Sequence, residues 1–581
     1  MSAAPLRWVP LGAADVEVMH RDDGVVYLRS PHALGPWPRN LTERLRRWAH
    51  ERPDQVLAAQ RDPAGGWRRL TYAEAYRRAR RAGAALLARG LSADRPLAIL
   101  SENSLEHLIL MLGALHVGVP CAPVSPAYSL LSTDYGRLRE VLALATPGLV
   151  WALDEARFAK AVAAAVPKET EVVYGSIPES DADAQVDAAH AMTGPETIAK
   201  LLFTSGSTGR PKAVINTQGM WCANQQMLAQ SLPYVAEVPP VLVDWLPWHH
   251  TAGGNHNIGI VLYNGGTLYI DEGRPMPGLI ERTVRNLREV GPTIYFSVPR
   301  GYEALLPYLQ RDETLRRTFF SRLGILQYAA AVLPQPVWKE YEALAVRTCG
   351  ERILWITGYG ATETAPFVMS TNRGAPRAGP VGLPVDGVEM KLAPVNDKLE
   401  ARFRGPAITP GYWRQPELTR AAFDEEGYFR SGDGMRFADP RDPAQGLEFD
   451  GRIAEDFKLT TGTWVSVGAL RARIVAAGNP WVQDAVIAGH DRDDVCALVI
   501  ARPGAKSPDL QGLLDALAGQ STGSSNRIAR AMLLEGPLSI DAGEITDKGS
   551  VNQRAVLRAR ADLVERLYTE PYDPRVVRAR A

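Results

Sequence analysis

Cysteine is scarce and scattered. Cys121, Cys222, Cys349 and Cys496 are the four in 581 residues, with no CxxC or CxxH spacing among them. This excludes a disulfide framework and a structural zinc site, and it fits a reducing cytoplasm. Net charge is absent as well, since 65 Lys plus Arg balance 65 Asp plus Glu. No long-range field therefore favours nucleic acid or an anionic membrane, and selectivity falls to local sites. No segment approaches the roughly 20 uninterrupted apolar residues of a membrane span, and the opening residues lack a signal-type apolar run. The expectation is a cytoplasmic protein without nucleic-acid or membrane partners, too long for one compact core and so built of two or more domains.

What is present alternates between two periods. "LTYAEAYRRARRAGAALLARGL" (70–91) spaces its apolar residues as a helix, and "RPLAILS" (95–101) follows as a short strand. "LEHLILMLGALHVGVPCAPVS" (105–125) predicts a buried helix, a glycine stop and a strand; "TPGLVWAL" (146–153) and "TEVVYGS" (170–176) predict further strands. The rhythm continues at Leu268–Ile270, 291–299, 322–330 and 352–360, which is an α/β pattern with parallel sheets. From 410 to 452 the chain turns rich in Gly, Pro, Asp and aromatics, predicting turns and short strands that lead to a boundary. We therefore expect a large N-terminal domain of layered α/β sheets, residues 1–450, and a smaller mobile α+β domain, residues 451–581. The latter should hold a helix in 463–478, strands at 484–489 and 495–502, a helix in 509–520 and a final helix after Val551.

"LLFTSGSTGRPKAVI" (201–215) has the glycines, hydroxyls and lysine of a phosphate cradle but fails the P-loop spacing, because Pro211 stands where GxxxxGK requires the second glycine. Apolar runs on both sides predict strand, loop, strand. Backbone N–H groups around Thr204, Ser205, Gly206, Ser207, Thr208 and Gly209 can form an anion-binding nest, to which Lys212 adds charge.

This segment resembles the signature of the adenylate-forming superfamily: acyl-CoA synthetases, firefly-type luciferases and peptide-synthetase adenylation domains. The resemblance extends to "GYGATETAP" (358–366), "YFRSGDGMRF" (428–437) and "DGRIAEDFKL" (450–459), four ordered landmarks over most of the chain. It implies that Thr362 hydrogen-bonds the α-phosphate and that Glu363 holds Mg²⁺, a hard cation suited to carboxylate and phosphate oxygens. It also implies that Asp433 and Arg452 hold the ribose, with Gly360 in the nucleotide turn. "YAAAVL" (328–333) sits where the family has a small-residue turn against adenine, so Ala329 and Ala330 would let a flat base approach; plain core packing is the alternative. Tyr359 would stack on the base or simply fill a strand end.

"DWLPWHHTAGGNH" (244–256) gathers two tryptophans and three histidines. Adjacent His249 and His250 are poor geometry for one metal, and the family places a pocket-gating residue here. The resemblance therefore assigns His250, with Trp248, Ser297 and Tyr328, to an acyl pocket; His249 and His256 are given no role, a hydrogen-bonded core residue being the plain reading of either. "GEITDKGSVNQRAVL" (543–557) is similar to the family segment with the adenylation lysine, although Lys548 precedes Gly549 instead of following it. An ammonium there would bridge carboxylate and α-phosphate as negative charge builds. Ala454 and Glu455 stand at the family's hinge, and Lys458 and Gly462 on its CoA side. "GQSTG" (519–523) fits GxSxG but follows a helical segment, so it is read as a loop, not a nucleophile elbow.

Three stretches (123–139, 451–471 and 544–557) resemble the feruloyl-CoA synthetase branch. The implied activity is an AMP-forming ligase that uses ATP, Mg²⁺ and coenzyme A on an aromatic carboxylic acid, with a homodimer as the assembly entertained. A ligase for another acid, or for a carrier protein or unusual small nucleophile, is the alternative.

Overall fold

The computed structural model describes residues 4–205, 210–372, 374, 377–502, 504–505, 509–546 and 549–580. The amphipathic stretch after residue 70 forms the helix Tyr72–Ala88, opened by Thr71, whose side chain accepts from the Glu74 N–H at 3.2 Å. Its neighbour Leu105–His116 is capped in the same way by Ser104 and is buried on nearly every face, as its unbroken apolar sequence requires. The two helices pack so closely that a Cβ on Gly113 would lie 2.8 Å from the Ala79 carbonyl oxygen, which only glycine avoids.

Among the described residues the strands build three sheets upstream of residue 453. A six-stranded sheet runs in the order Pro211–Thr217, Ile198–Ser205, Cys121–Val124, Leu97–Leu100, Leu149–Ala152, Glu171–Tyr174, parallel except for its first, edge strand. A four-stranded sheet joins Val241–Asp244, Thr267–Ile270, Val56–Arg61 and Trp67–Thr71. The third sheet has eleven strands. Its parallel part, Ile294–Ser297, Ile325–Tyr328 and Leu354–Tyr359, continues into an antiparallel part that ends at the hairpin Glu17–His20/Val26–Arg29. Two apolar clusters fill this region, the smaller one packed around Tyr302, Phe319, Tyr341 and Trp355.

Downstream, Val482–Ala488, Val495–Ala501, Ile528–Leu533 and Val577–Arg578 form a separate four-stranded sheet with its own core, covered by the helices Val467–Ala477 and Leu510–Ala518. The chain is thus α/β with a smaller α+β portion at its C-terminal end.

Three details differ from the sequence expectation. Residues 429–437 are one nine-residue strand, longer than the turns and short strands expected, with Gly434 paired to Glu400 and register shifts on both sides around its glycines. The region after Val551 is two helices, Gln553–Ala559 and Ala561–Arg566, broken at Arg560. The polar lead-in holds the hairpin Glu17–Arg29, whose second strand pairs with Glu389–Leu392. "GQSTG" is a loop, with the Ser521 hydroxyl donating to the backbone carbonyls of Leu517 and Asn526.

Candidate active site

The carboxyl ends of the three parallel strands lie in one row, with Ser297 beside Tyr328 and Tyr328 beside Thr357. Open α/β sheets place ligands at such ends. Ala330 follows in a left-handed conformation (φ 73°), and Ala330 and Ala331 are exposed while Ala329 is half-buried. Core packing is therefore not what these small residues do; they leave the backbone accessible.

From the third strand end, Tyr359 lies with its ring stacked on Phe403 (5.6 Å between centroids, 22° between planes) and its hydroxyl donating to Asp433 Oδ2 at 2.6 Å. Asp433 pairs across strands with Arg452, whose Nε is 3.7 Å from Asp433 Oδ1. Burial raises the Asp433 pKa, and the Arg452 charge and the Tyr359 bond oppose that rise. Burial and the Asp433 charge push the Tyr359 phenol well up, so it stays a donor. Three residues far apart in sequence thus form one polar edge, with one face of Tyr359 already covered by Phe403.

Gly360 makes the next turn, where a Cβ would fall 1.3 Å from the Pro366 carbonyl oxygen. A short 3₁₀ turn, Thr362–Thr364, follows, with Thr362 buried and Glu363 half-buried. Glu363 is held twice. Its carbonyl accepts from Thr409 N–H at 2.8 Å, and its Oε1 accepts from the Tyr412 hydroxyl at 3.1 Å.

The glycine-rich segment is strand, loop, strand: Ser205 pairs with Pro211 and Thr204 with Lys212. Gly206, Ser207, Thr208 and Gly209, together with the side chain of Ser205, lie outside the described residues, as does Lys548. On either side of it, Ile545 bridges Val551, and the Thr546 N–H donates to the Ser550 carbonyl at 2.9 Å. Just before it, Asp541 Oδ2 accepts from Thr133 Oγ1 at 2.7 Å, which seats this segment on the large portion of the chain.

Of the residues assigned to an acyl pocket, Trp248, Ser297 and Tyr328 are 1%, 0% and 2% exposed. Trp248 packs against the edge of His107, and Tyr328 against Trp338 and Trp355. His250 is half-buried in the turn that leads into a π-helical segment, Ala252–Asn257. His256, given no role from the sequence, is buried; its Nδ1 is 2.9 Å from Asn257 Oδ1, its ring lies against Phe296, and burial lowers its pKa to about 4.

Ala454 and Glu455 form a 3₁₀ turn with Ile453, directly after the last strand of the eleven-stranded sheet. The Ala454 carbonyl accepts from Arg554, and Glu455 lies 3.6 Å from Arg471. Lys458 stands over the Trp464 ring, and Gly462 turns the chain at φ 79° with open space beside it.

A family model described as "AMP-binding enzyme" matches residues 45–413, and a second, "AMP-binding enzyme C-terminal domain", matches residues 457–571. The chain belongs to the AMP-binding enzyme family. Similar proteins include malonate–CoA ligase of Arabidopsis thaliana, 28% identical over 330 residues (53% of this chain, 51% of that protein). A feruloyl-CoA synthase of Amycolatopsis sp. is 28% identical over 378 residues (63% and 70%). The chain spans about half the length of the first of these. An anthranilate CoA ligase, AuaEII, in complex with anthranoyl-AMP has the same fold, with a TM-score of 0.73 at 20% identity over 91% of this chain and 99% of that one.

Residues invisible to sequence reasoning surround this AMP-binding fold's candidate site. Phe403 lay in a stretch to which sequence reasoning gave no element, and Tyr412 in one read as turns and short strands. Lys200 had a signal, a lone charge in the apolar strand "IAKLLF", and it is fully buried.

Proposed function

We propose that this chain is an ATP-dependent, AMP-forming acid–CoA ligase that acts on an aromatic, hydroxycinnamate-type acid through an acyl-adenylate. The observation that carries the reading is the edge formed by Tyr359, Asp433 and Arg452 next to the Ala329–Ala331 turn, exposed at Ala330 and Ala331, and Glu363. It offers a carboxylate and a guanidinium to vicinal hydroxyls, and a flat, accessible backbone to a base.

The acid carboxylate attacks the α-phosphorus of ATP and pyrophosphate leaves; the CoA thiol then attacks the acyl carbon and AMP leaves. Thr362 and the hairpin that carries Thr204 and Lys212 bind phosphate oxygens, and Lys548 spans carboxylate and α-phosphate in the first half. Positioning two anions against each other is most of the work. Glu363 suits a Mg²⁺ held chiefly by substrate phosphates, since among the described residues no three His, Cys, Asp or Glu could cage a metal. When bound, Mg²⁺ neutralises charge on those phosphates. Residues 1–450 and 451–581 act as two bodies that turn at Ala454–Glu455 between the halves, bringing Lys458 and Gly462 to the CoA side.

The aromatic substrate is supported by the similarity to a feruloyl-CoA synthase and by the Trp- and His-rich segment 244–256, because ring burial supplies affinity for a flat acid. Pyrophosphate release and thioester formation across ferulate, coumarate, malonate and octanoate, with and without CoA, test it. Markedly higher kcat/KM for the hydroxycinnamates is expected. Predominant malonyl- or octanoyl-CoA would overturn the substrate, and pyrophosphate release without CoA consumption would move the acceptor to a carrier protein or another nucleophile. No pyrophosphate release with any acid would overturn the ligase itself.

A further inference from the structure

We propose that Tyr412 is a positioning residue for Glu363, setting the carboxylate that meets the divalent cation in fixed register with the phosphate-binding hairpin. This rests on the ligase reading above.

The edge strand Pro211–Thr217 begins directly after the glycine-rich loop, and residues 409–415 are laid along its outer side. The Ile215 N–H donates to the Gly411 carbonyl at 3.1 Å, and the Trp413 N–H to the Ala213 carbonyl at 2.8 Å. Val214 and Tyr412 form an isolated bridge, and Thr409 Oγ1 donates to the Ile215 carbonyl at 2.7 Å. Gln415 completes the strap by donating to the Pro211 carbonyl and accepting from the Ala213 N–H.

The same strap grips Glu363 at both ends, by the Thr409 N–H on its carbonyl and the Tyr412 hydroxyl on Oε1. Lys212, one residue into the edge strand, places its ammonium 5.0 Å from the centre of the Tyr412 ring. Lysine, tyrosine and glutamate therefore form one chain from the end of the phosphate loop to the carboxylate. The phenol occupies one carboxylate oxygen and leaves the other for a cation. Tyr412 is only 5% exposed, so its hydroxyl is held at the carboxylate by the surrounding packing.

A tyrosine that merely fills space would tolerate loss of its hydroxyl; one that orients a cation-binding carboxylate would not. The test is Tyr412→Phe. Mn²⁺ binding in the presence of α,β-methylene-ATP is followed by the electron paramagnetic resonance of free Mn²⁺, and the Mg²⁺ dependence of pyrophosphate release is measured beside it. Both half-saturation points should rise about tenfold, as for loss of an outer partner of a metal ligand. KM for the acid and the melting temperature should stay near wild type. In a Glu363→Gln background Tyr412→Phe should have no further effect, because the two act as one unit. Unchanged Mn²⁺ affinity in the folded variant, or a loss that persists without the Glu363 carboxylate, would overturn the proposal. A wild-type protein that releases pyrophosphate yet shows no divalent requirement would overturn it too. A wild type that binds neither Mn²⁺ nor the analogue would overturn the ligase reading first.

Discussion

His107 illustrates how burial decides protonation in this protein. It lies in the core edge-on to Trp248, with Nδ1 3.4 Å from the Glu102 carbonyl, and burial lowers its pKa to about 3. An unfolded histidine titrates near 6.5. Between those values the unfolded chain holds the proton and the folded chain does not, so this residue's share of stability is complete above pH 6.5 and is lost as the pH falls toward 3. His107→Phe removes that penalty while keeping a ring in place. The stability gap between variant and wild type should therefore move in the variant's favour by about 1.4 kcal/mol between pH 7.5 and pH 5.5, read from urea denaturation at both values. A gap that does not change with pH would mean that His107 takes up its proton in the fold as readily as in the unfolded chain.

The π-helical segment Ala252–Asn257 has a local geometry that needs outside support. A Cβ on Gly254 would lie 2.1 Å from the Trp248 carbonyl oxygen, so the turn is closed too tightly for any side chain. Lys200 reaches it from the neighbouring strand, with Nζ donating to the Gly254 carbonyl at 2.5 Å and to Asn255 Oδ1 at 3.2 Å, over the face of Trp221 at 3.7 Å. Asn255 is fastened further by Asn216 Oδ1, and its carbonyl accepts from Trp221 Nε1. The turn carries His256 and follows His250, the residue proposed for the acid pocket. Burial pulls the Lys200 pKa to about 7, the cost of keeping an ammonium there. Lys200→Met keeps the volume but strands the Gly254 carbonyl, and it should destabilise by ~1–3 kcal/mol in urea denaturation. A change inside about 0.5 kcal/mol, the usual range for neutral surface substitutions, would show that the turn holds without the lysine.

At the scale of the whole molecule, the connection between the large and small portions is short and tightly pinned. Arg452 ends the last strand of the eleven-stranded sheet, the 3₁₀ turn Ile453–Glu455 follows, and Asp456 then pairs with Lys398 at 2.5 Å. Lys398 also donates to the Asp450 carbonyl and to Ser466 Oγ, so one buried ammonium ties both sides of the turn together. If the two bodies rotate here, backbone change is confined to residues 453–455 or the buried ion pair must open. Ala454→Pro fixes φ at that point. Pyrophosphate release and conversion of supplied acyl-adenylate plus CoA should then diverge, one half-reaction surviving far better than the other. Equal retention of both would place the pivot elsewhere, with Glu455 the next position to substitute.

Much of this protein was legible in its sequence wherever the deciding interactions are local. The helices Tyr72–Ala88 and Leu105–His116 declare themselves through apolar spacing and Thr or Ser caps, and the short parallel strands through brief β-rich runs. Tyr359, Gly360, Thr362 and Glu363 were named together from the resemblance of one short segment, and they lie at one strand end and the turn after it. Other strands were not, among them Phe429–Phe437, interrupted by glycines and an aspartate, and the two of the hairpin Glu17–Arg29, whose partner strand lies more than 350 residues away. Strand identity there depends on the neighbour more than on intrinsic preference. Only the tertiary structure set Asp433 beside Arg452 and Tyr359, laid Tyr412 between Lys212 and Glu363, and buried Lys200 against the π-turn. Each is a polar group whose cost of burial is met by a partner distant in the chain, and no local pattern records which distant group will meet it.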